Sequence, residues 1–274
     1  MPYCPKCGTQ VPSDAKFCTS CGTSLGEIAP PAPPPSGHAP EFKRMSLSQN
    51  LNNSLNYAKA LTSDIGRYIV LLVLNIIPLV NLIVTGYGAR IIKTTPEVNE
   101  LPKLERYGDM FFDGLKIAVA GFVYMIIPAI VIGLGAGSVF AGMFGFGPSP
   151  TAGGFALTGL GVLLLLAGLA LAFVLAIFFA MGIAHMLRTN NFGKAFAFGE
   201  IRQIVGRIGW GRYLAWLLLL FLIAVVLGAV TGAIPFPFGP IISLILGPFL
   251  VAFYFRSVGM MYSEGAETGL TESW

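Results

Sequence analysis

The chain's four cysteines, Cys4, Cys7, Cys18 and Cys21, form two Cys-x2-Cys pairs with ten residues between them. Two residues between cysteines let both thiolates reach one ion from a tight knuckle. Gly8 and Gly22, directly after each pair, relieve the turn there. Four thiolates at about 2.3 Å close a tetrahedron, the chemistry of a structural zinc ion with no open position for water. A redox dithiol is the competing chemistry, but two pairs in register favour metal. The N-terminus has no basic stretch followed by an apolar core. No cleaved signal peptide is expected, and the thiols should therefore start in a reducing compartment. So short a segment cannot fold on a hydrophobic core, so metal binding must supply its folding free energy. Tyr3, Val11 and Phe17 are the large side chains available to cover the ion.

Other groups with chemical capacity are few. Asn75 and Asn81 flank Pro78 inside an apolar stretch, where they would either hydrogen-bond between helices or line a small polar cavity. Glu105, Asp109 and Asp113 recur every fourth residue and would share a helix face, with Arg106 and Lys116 near enough to neutralise them and Asp113-Gly114 available to cap a helix. His185 sits beside Arg188, and His38 is isolated. No nucleophile–histidine–acid set, phosphate loop or His-Glu-x-x-His helix occurs, so the expectation is a protein that is not an enzyme.

The elements that must position these groups follow from charge. Residues 68–89, 117–184 and 213–255 contain no Asp, Glu, Lys or Arg, and these runs make up about half of the 274 residues. Hydrophobic residues are 55% and charged residues 11%, against roughly 25% charged in soluble proteins. Mean hydropathy is +0.74. Soluble helices need a wet face; runs like these need lipid. The fold expected is an all-α polytopic membrane domain with four full transmembrane helices (115–137, 158–184, 212–233 and 239–262) and an outer glycine-rich loop around 133–154. No Asp, Glu, Lys, Arg or His lies in the charge-free runs that form the span interiors, which disfavours ion-coupled transport.

Lys and Arg sort into two segments. One holds Arg90, Lys93, Lys103, Arg106 and Lys116; the other holds Arg188, Lys194, Arg202, Arg207 and Arg212. The positive-inside rule puts both in the cytoplasm, so the chain belongs in the cytoplasmic membrane with both termini inside. The first apolar run has 22 residues, one crossing if continuous. A crossing would put the cysteines outside, and Asn75-Ile-Ile-Pro78-Leu-Val-Asn81 suits a break. The prediction is a re-entrant hairpin over 66–92, both ends cytoplasmic, packed inside the bundle because irregular backbone at that depth must be buried. Leu47, Leu51, Leu55 and Ala58, and later Ile201, Ile204, Val205 and Ile208, form apolar stripes suited to the headgroup region.

Residues 1–28 thus form a small metal-folded domain and 29–45 a linker. Half of 29–40 is proline, an extended spacer of roughly 35–40 Å. Residues 46–263 form the membrane domain and 264–274 a cytoplasmic tail. Lys6 and Lys16 are balanced by Asp14 and Glu27, so the head lacks the basic surface that nucleic acid requires. A cytoplasmic protein partner is the expectation for the head, and the lipid bilayer for the rest. The alternative function is a facilitator or binder of a small or lipidic molecule at Asn75 and Asn81.

Two resemblances accompany these readings. Tyr3-Cys-Pro-Lys-Cys-Gly with Phe17-Cys-Thr-Ser-Cys-Gly22 resembles a short zinc ribbon. Ile77-Pro-Leu-Val-Asn81, Gly86-Tyr-Gly-Ala-Arg90, Leu101-Pro102, Asp113-Gly-Leu-Lys116 and the 124–128 region carry the second. Over residues 54–262 they resemble the prokaryotic, often archaeal, membrane proteins grouped as domain of unknown function 4013. That resemblance implies a polytopic membrane fold and no established activity.

Overall fold

The computed structural model describes residues 3–4, 6–10, 17–23, 45–144 and 152–271, with only the backbone described for 152–155 and 267–271. The chain divides into two compact units, Met1–Lys43 and Arg44–Trp274. The proline-rich stretch 29–40, Val11 and residues 145–151, part of the expected outer loop, lie outside the described residues.

Every regular element among the described residues of the second unit is a helix. Helix α1 (Leu47–Ser63) starts at a capping box: Ser46 accepts from the Gln49 amide and the Gln49 side chain accepts from the Ser46 amide. Asp64 ends α1 and its carboxylate caps α2 (Ile65–Ile76) at the Arg67 amide. Then follow α3 (Asn81–Thr94), α4 (Tyr107–Met143), α5 (Ala152–Thr189), a 3-10 turn (Phe192–Phe196), α6 (Phe198–Ile208), α7 (Trp210–Ala233) and α8 (Phe238–Thr271). Four helices are long and apolar enough to cross a membrane: Tyr107–Met143, Ala156–Thr189, Trp210–Ala233 and Phe238–Ala266. Their apolar side chains point largely outward, Phe122, Leu163, Phe173 and Phe221 among them, as lipid-facing helices require. This is the expected four-span, all-helical membrane protein.

The first apolar run is two helices with a break at 77–80. Ile77 is extended, as a residue before proline prefers, and Leu79 takes a positive φ of 67°. The Asn81 amide group donates to the Asn75 side-chain oxygen at 2.5 Å and to its carbonyl at 3.4 Å, satisfying polar atoms that the break frees. Tyr57, before α2, donates to the Glu100 carbonyl, and Arg67 donates to the Leu101 carbonyl. The segments entering and leaving the hairpin therefore meet at one end of the bundle. Burial is divided unequally. Helix α3 buries Val84, Gly86, Tyr87, Gly88, Ala89, Ile91 and Ile92, but α2 buries Leu71 alone. Ile65, Ile69, Val73 and Ile76 face outward, so only half of the hairpin is interior. That face is wholly apolar, and lipid serves it as well as protein would.

Glycines set the closest helix contacts. A Cβ on Gly86 would lie 1.7 Å from the Met110 carbonyl oxygen, and one on Gly114 1.9 Å from that of Leu82. At this crossing α3 and α4 meet backbone to backbone. Gly114 is thus a packing residue inside α4, seven residues past the helix start at Tyr107, rather than part of a cap. Gly135, Gly161 and Gly168 do the same between α4 and α5. The stretch from 133 to 143, expected as loop, is helical: Gly135 is a contact point with α5, Gly133 and Gly137 face open space, and membrane helices tolerate all three.

The two amphipathic helices turn inward. Ile201, Ile204, Val205 and Ile208 of α6 are buried, with Ile204 against Gly265 of α8. In α1 the buried stripe is Asn50, Ser54, Tyr57, Ala58 and Leu61, one position off the leucine stripe, because polar groups pin this helix. Asn50 bonds to the Ser257 hydroxyl (2.6 Å) and carbonyl (3.3 Å), and Trp216 Nε1 donates to the same hydroxyl at 2.9 Å.

Arg256, 1% exposed, is the centre of that end of the bundle. Its guanidinium donates to Asn53 Oδ1 (3.3 Å), Thr95 Oγ1 (3.1 Å), the Val98 carbonyl (2.7 Å) and Asn99 Oδ1, and lies 4.7 Å from the Tyr57 ring centre. It locks α8 to α1 and to the segment after α3. Arg256→Met should cost about 3 kcal/mol, since buried Thr95 and three part-buried acceptors lose a charged donor at once. Denaturant titration in mild detergent would measure it, and a loss below 1 kcal/mol would contradict the locking role.

Candidate metal centre and the polar groups of the membrane domain

In the first unit the two cysteine pairs form matching knuckles. The Cys4 amide donates to the Thr9 carbonyl and the Gly8 amide to the Cys4 carbonyl, both at 2.9 Å. The Cys18 amide donates to the Thr23 carbonyl at 2.9 Å and the Gly22 amide to the Cys18 carbonyl at 2.8 Å. Gly8 and Gly22 have φ of 71° and 69°, a conformation that any side chain would strain. Tyr3 and Gln10 pair as an antiparallel bridge across the first knuckle.

The four sulfurs converge within 4.8 Å of one another. Cys4 Sγ lies 3.6 Å from Cys21 Sγ, and Cys7 Sγ 3.6 Å from Cys18 Sγ. A tetrahedral ion with bonds of about 2.3 Å needs sulfurs roughly 3.8 Å apart, close to the two 3.6 Å separations, so this set fits a four-coordinate metal. Thr9 Oγ1 lies 3.4 Å from Cys7 Sγ and Thr23 Oγ1 3.2 Å from Cys21 Sγ. Thr9 and Thr23 lower the pKa of the thiols beside them, that of Cys7 to about 6. Cys18, despite backbone hydrogen bonds that lower it, is pushed up to about 11 by burial and its neighbouring sulfurs. The threonines thus favour two of the thiolates that a metal requires. Cys4 and Cys18 are buried while Tyr3 and Phe17 are mostly exposed. The expected aromatic cover is therefore absent from these two residues. Cys7 and Cys21 stay exposed, because a segment this short has no core into which a ring could turn.

In the second unit Asn75 and Asn81 pair with each other. A cleft of about 690 Å³ at the ends of α3 and α4 and one of about 540 Å³ between α7 and α8 are lined by other residues. Of the three acids spaced by four, Glu105 precedes α4. Asp109 pairs with Arg106 (2.5 Å), and Asp113 is held by Lys93 (2.6 Å) and Lys116 (3.3 Å). Lys93 comes from α3, a partner that spacing alone does not show.

His185 is joined to two residues that the sequence reading did not connect with it. Its Nδ1 lies 2.8 Å from the Tyr262 hydroxyl and its Nε2 2.7 Å from Glu200 Oε2, while Lys194 holds Glu200 Oε1 at 2.5 Å. Lys194 first and His185 second keep the Glu200 carboxyl below its ordinary pKa. This chain fastens α5, the 3-10 turn, α6 and α8 together. Arg188 reaches Glu97 (3.1 Å) and the Lys93 carbonyl (2.9 Å), and Arg212 pairs with Glu264 and the Met45 carbonyl. The basic end is thus a network of ties between helix ends.

Together these features define an integral membrane protein with a four-thiolate metal-binding head. The chain belongs to the family described as protein of unknown function (DUF4013), whose model matches residues 69–236. A zinc-ribbon domain model matches residues 3–25. No curated protein and no solved structure matches the chain.

Proposed function

We propose that the head carries one structural zinc ion on Cys4, Cys7, Cys18 and Cys21 and serves as a cytoplasmic docking or regulatory module on a non-enzymatic domain in the cytoplasmic membrane. The observation that carries this reading is the closed thiolate set: four convergent sulfurs leave no ligand position for substrate. A zinc unit of this kind is a rigid knob, and the proline-rich residues 29–45 suit a spacer that extends it.

The path of the chain supports a cytoplasmic head. Arg212 bonds to the Met45 carbonyl, so the membrane unit begins at the end that gathers Arg90, Lys93, Arg188 and Arg212. The hairpin returns to that same end, so it contributes no net crossing. The positive-inside rule assigns that end to the cytoplasm. Deleting residues 1–40 should remove cytoplasmic proteins that co-purify with the full chain while leaving the membrane domain folded. An unchanged set of partners would refute the docking role.

A further inference from the structure

The 690 Å³ cleft lies where α3 ends and α4 begins. Five cationic side chains line it: Arg90, Lys93, Lys103, Arg106 and Lys116. Three carboxylates, Glu105, Asp109 and Asp113, oppose them, leaving an excess of two positive charges. The pairing inside the cleft does not use up its donors. Asp113 is shared by two lysines, each retaining two ammonium hydrogens. Arg90 spends its guanidinium on the Lys103 and Arg106 carbonyls, which leaves its charge without a carboxylate among the described residues. Lys103 is exposed, and its ammonium has no bonded partner among the described residues. The amide end of α4 opens beside them and adds positive potential.

A second feature adjoins the cleft. Phe112 lines it and is 59% exposed. Phe112, Leu115, Val119, Phe122 and Ile126 follow at steps of three and four along α4, all outward, and lead into a shallow apolar groove formed by Phe122, Met125, Ile126, Ala129 and Ile130. From Phe112 to Phe122 the helix rises about 15 Å, half the hydrocarbon thickness of a bilayer and close to the depth of one acyl chain. A cationic cleft at the start of an exposed apolar track matches a molecule with an anionic head and a long hydrocarbon tail.

We propose that this cleft binds the phosphate of an anionic membrane lipid, with an acyl chain along the outer face of α4. A soluble phosphate would use the same donors but none of the track. The head sits among Lys103, Lys116, Lys93 and Arg90; Asp113 keeps the two paired lysines oriented. Cationic pockets between membrane helices at a membrane surface are suited to such headgroups.

The test uses the full-length, metal-loaded protein in nanodiscs or detergent, with dioleoyl-phosphatidylglycerol and dioleoyl-phosphatidylcholine as probes. Native mass spectrometry should show the glycerol lipid retained about tenfold over the choline lipid. Lys103→Gln with Lys116→Gln cancels the excess charge and should bring the two lipids to near-equal retention. Arg202→Gln with Arg207→Gln, on α6, should leave the preference intact. Equal retention by the wild type, or equal loss in both double variants, would overturn the site. Displacement of the lipid by an equal concentration of glycerol 3-phosphate would overturn the lipid as occupant. Should the lysine variant fail to fold, Phe112→Trp in an otherwise native chain offers a second reading. In a mixed bilayer its added fluorescence should be quenched more by brominated phosphatidylglycerol than by brominated phosphatidylcholine. Equal quenching would again overturn the proposal.

Discussion

Gly86→Ala is expected to destabilise the membrane domain by about 3 kcal/mol or more, the upper range for an overpacked core. The added methyl would stand 1.7 Å from the Met110 carbonyl oxygen, 2.4 Å from its carbonyl carbon and 2.8 Å from its Cα. All three are backbone atoms, so no side chain can rotate away and the two helices must separate. Separation would pull Asp113 from Lys93, because that ion pair crosses the same interface. Gly133→Ala is the matched control. Its methyl meets nothing within 4 Å, and alanine is the better helix former by roughly 1 kcal/mol, so it should be neutral or slightly stabilising. Both can be compared by SDS or urea titration of the purified protein in a bicelle. Equal stability of the two variants would mean that α3 and α4 do not meet at Gly86.

Stripping the metal should unfold the head and leave the membrane helices intact. Structural zinc in small peptides contributes on the order of 10–16 kcal/mol of apparent binding free energy at neutral pH, far more than a segment of this size could gain by burial. Its four thiolates must take up protons to let the ion go, so release should become easier as pH falls. A strong chelator, or Cys4→Ser, should expose residues 3–25 to protease while circular dichroism of the helices stays unchanged. Thr9→Val should be milder, lowering metal affinity about tenfold or more by removing the hydroxyl beside Cys7. A head that stays protease-resistant after quantitative metal removal would rule out metal as its folding partner.

These two sites differ in how far they could be read in advance. The metal ligands lie within 18 residues of one another, and their spacing encodes the knuckle geometry directly. Apolar runs without charge are also local signals, and the four spans and the interruption at Pro78 appear where those signals lie. The glycines at 86 and 114 belonged to motifs that carry the family resemblance, but nothing in their spacing said that they touch across α3 and α4. Arg256 was harder still. It directly follows an apolar run and looks like an ordinary flank, yet its partners lie 157 to 203 residues away. The polar side chains Asn53, Thr95 and Asn99 gave no sign that they converge.

What this sequence determined unaided is whatever depends on neighbours along the chain: the four-sulfur head, the spans, and the basic segments that flank them. Tertiary structure alone decided which glycines became crossings, which half of the hairpin went inside, and which arginine was buried. Hydropathy and ligand spacing act over one or two helical turns. Steric fit and the satisfaction of a buried cation depend on segments brought together only when the helices pack, and no local pattern records which segments those are.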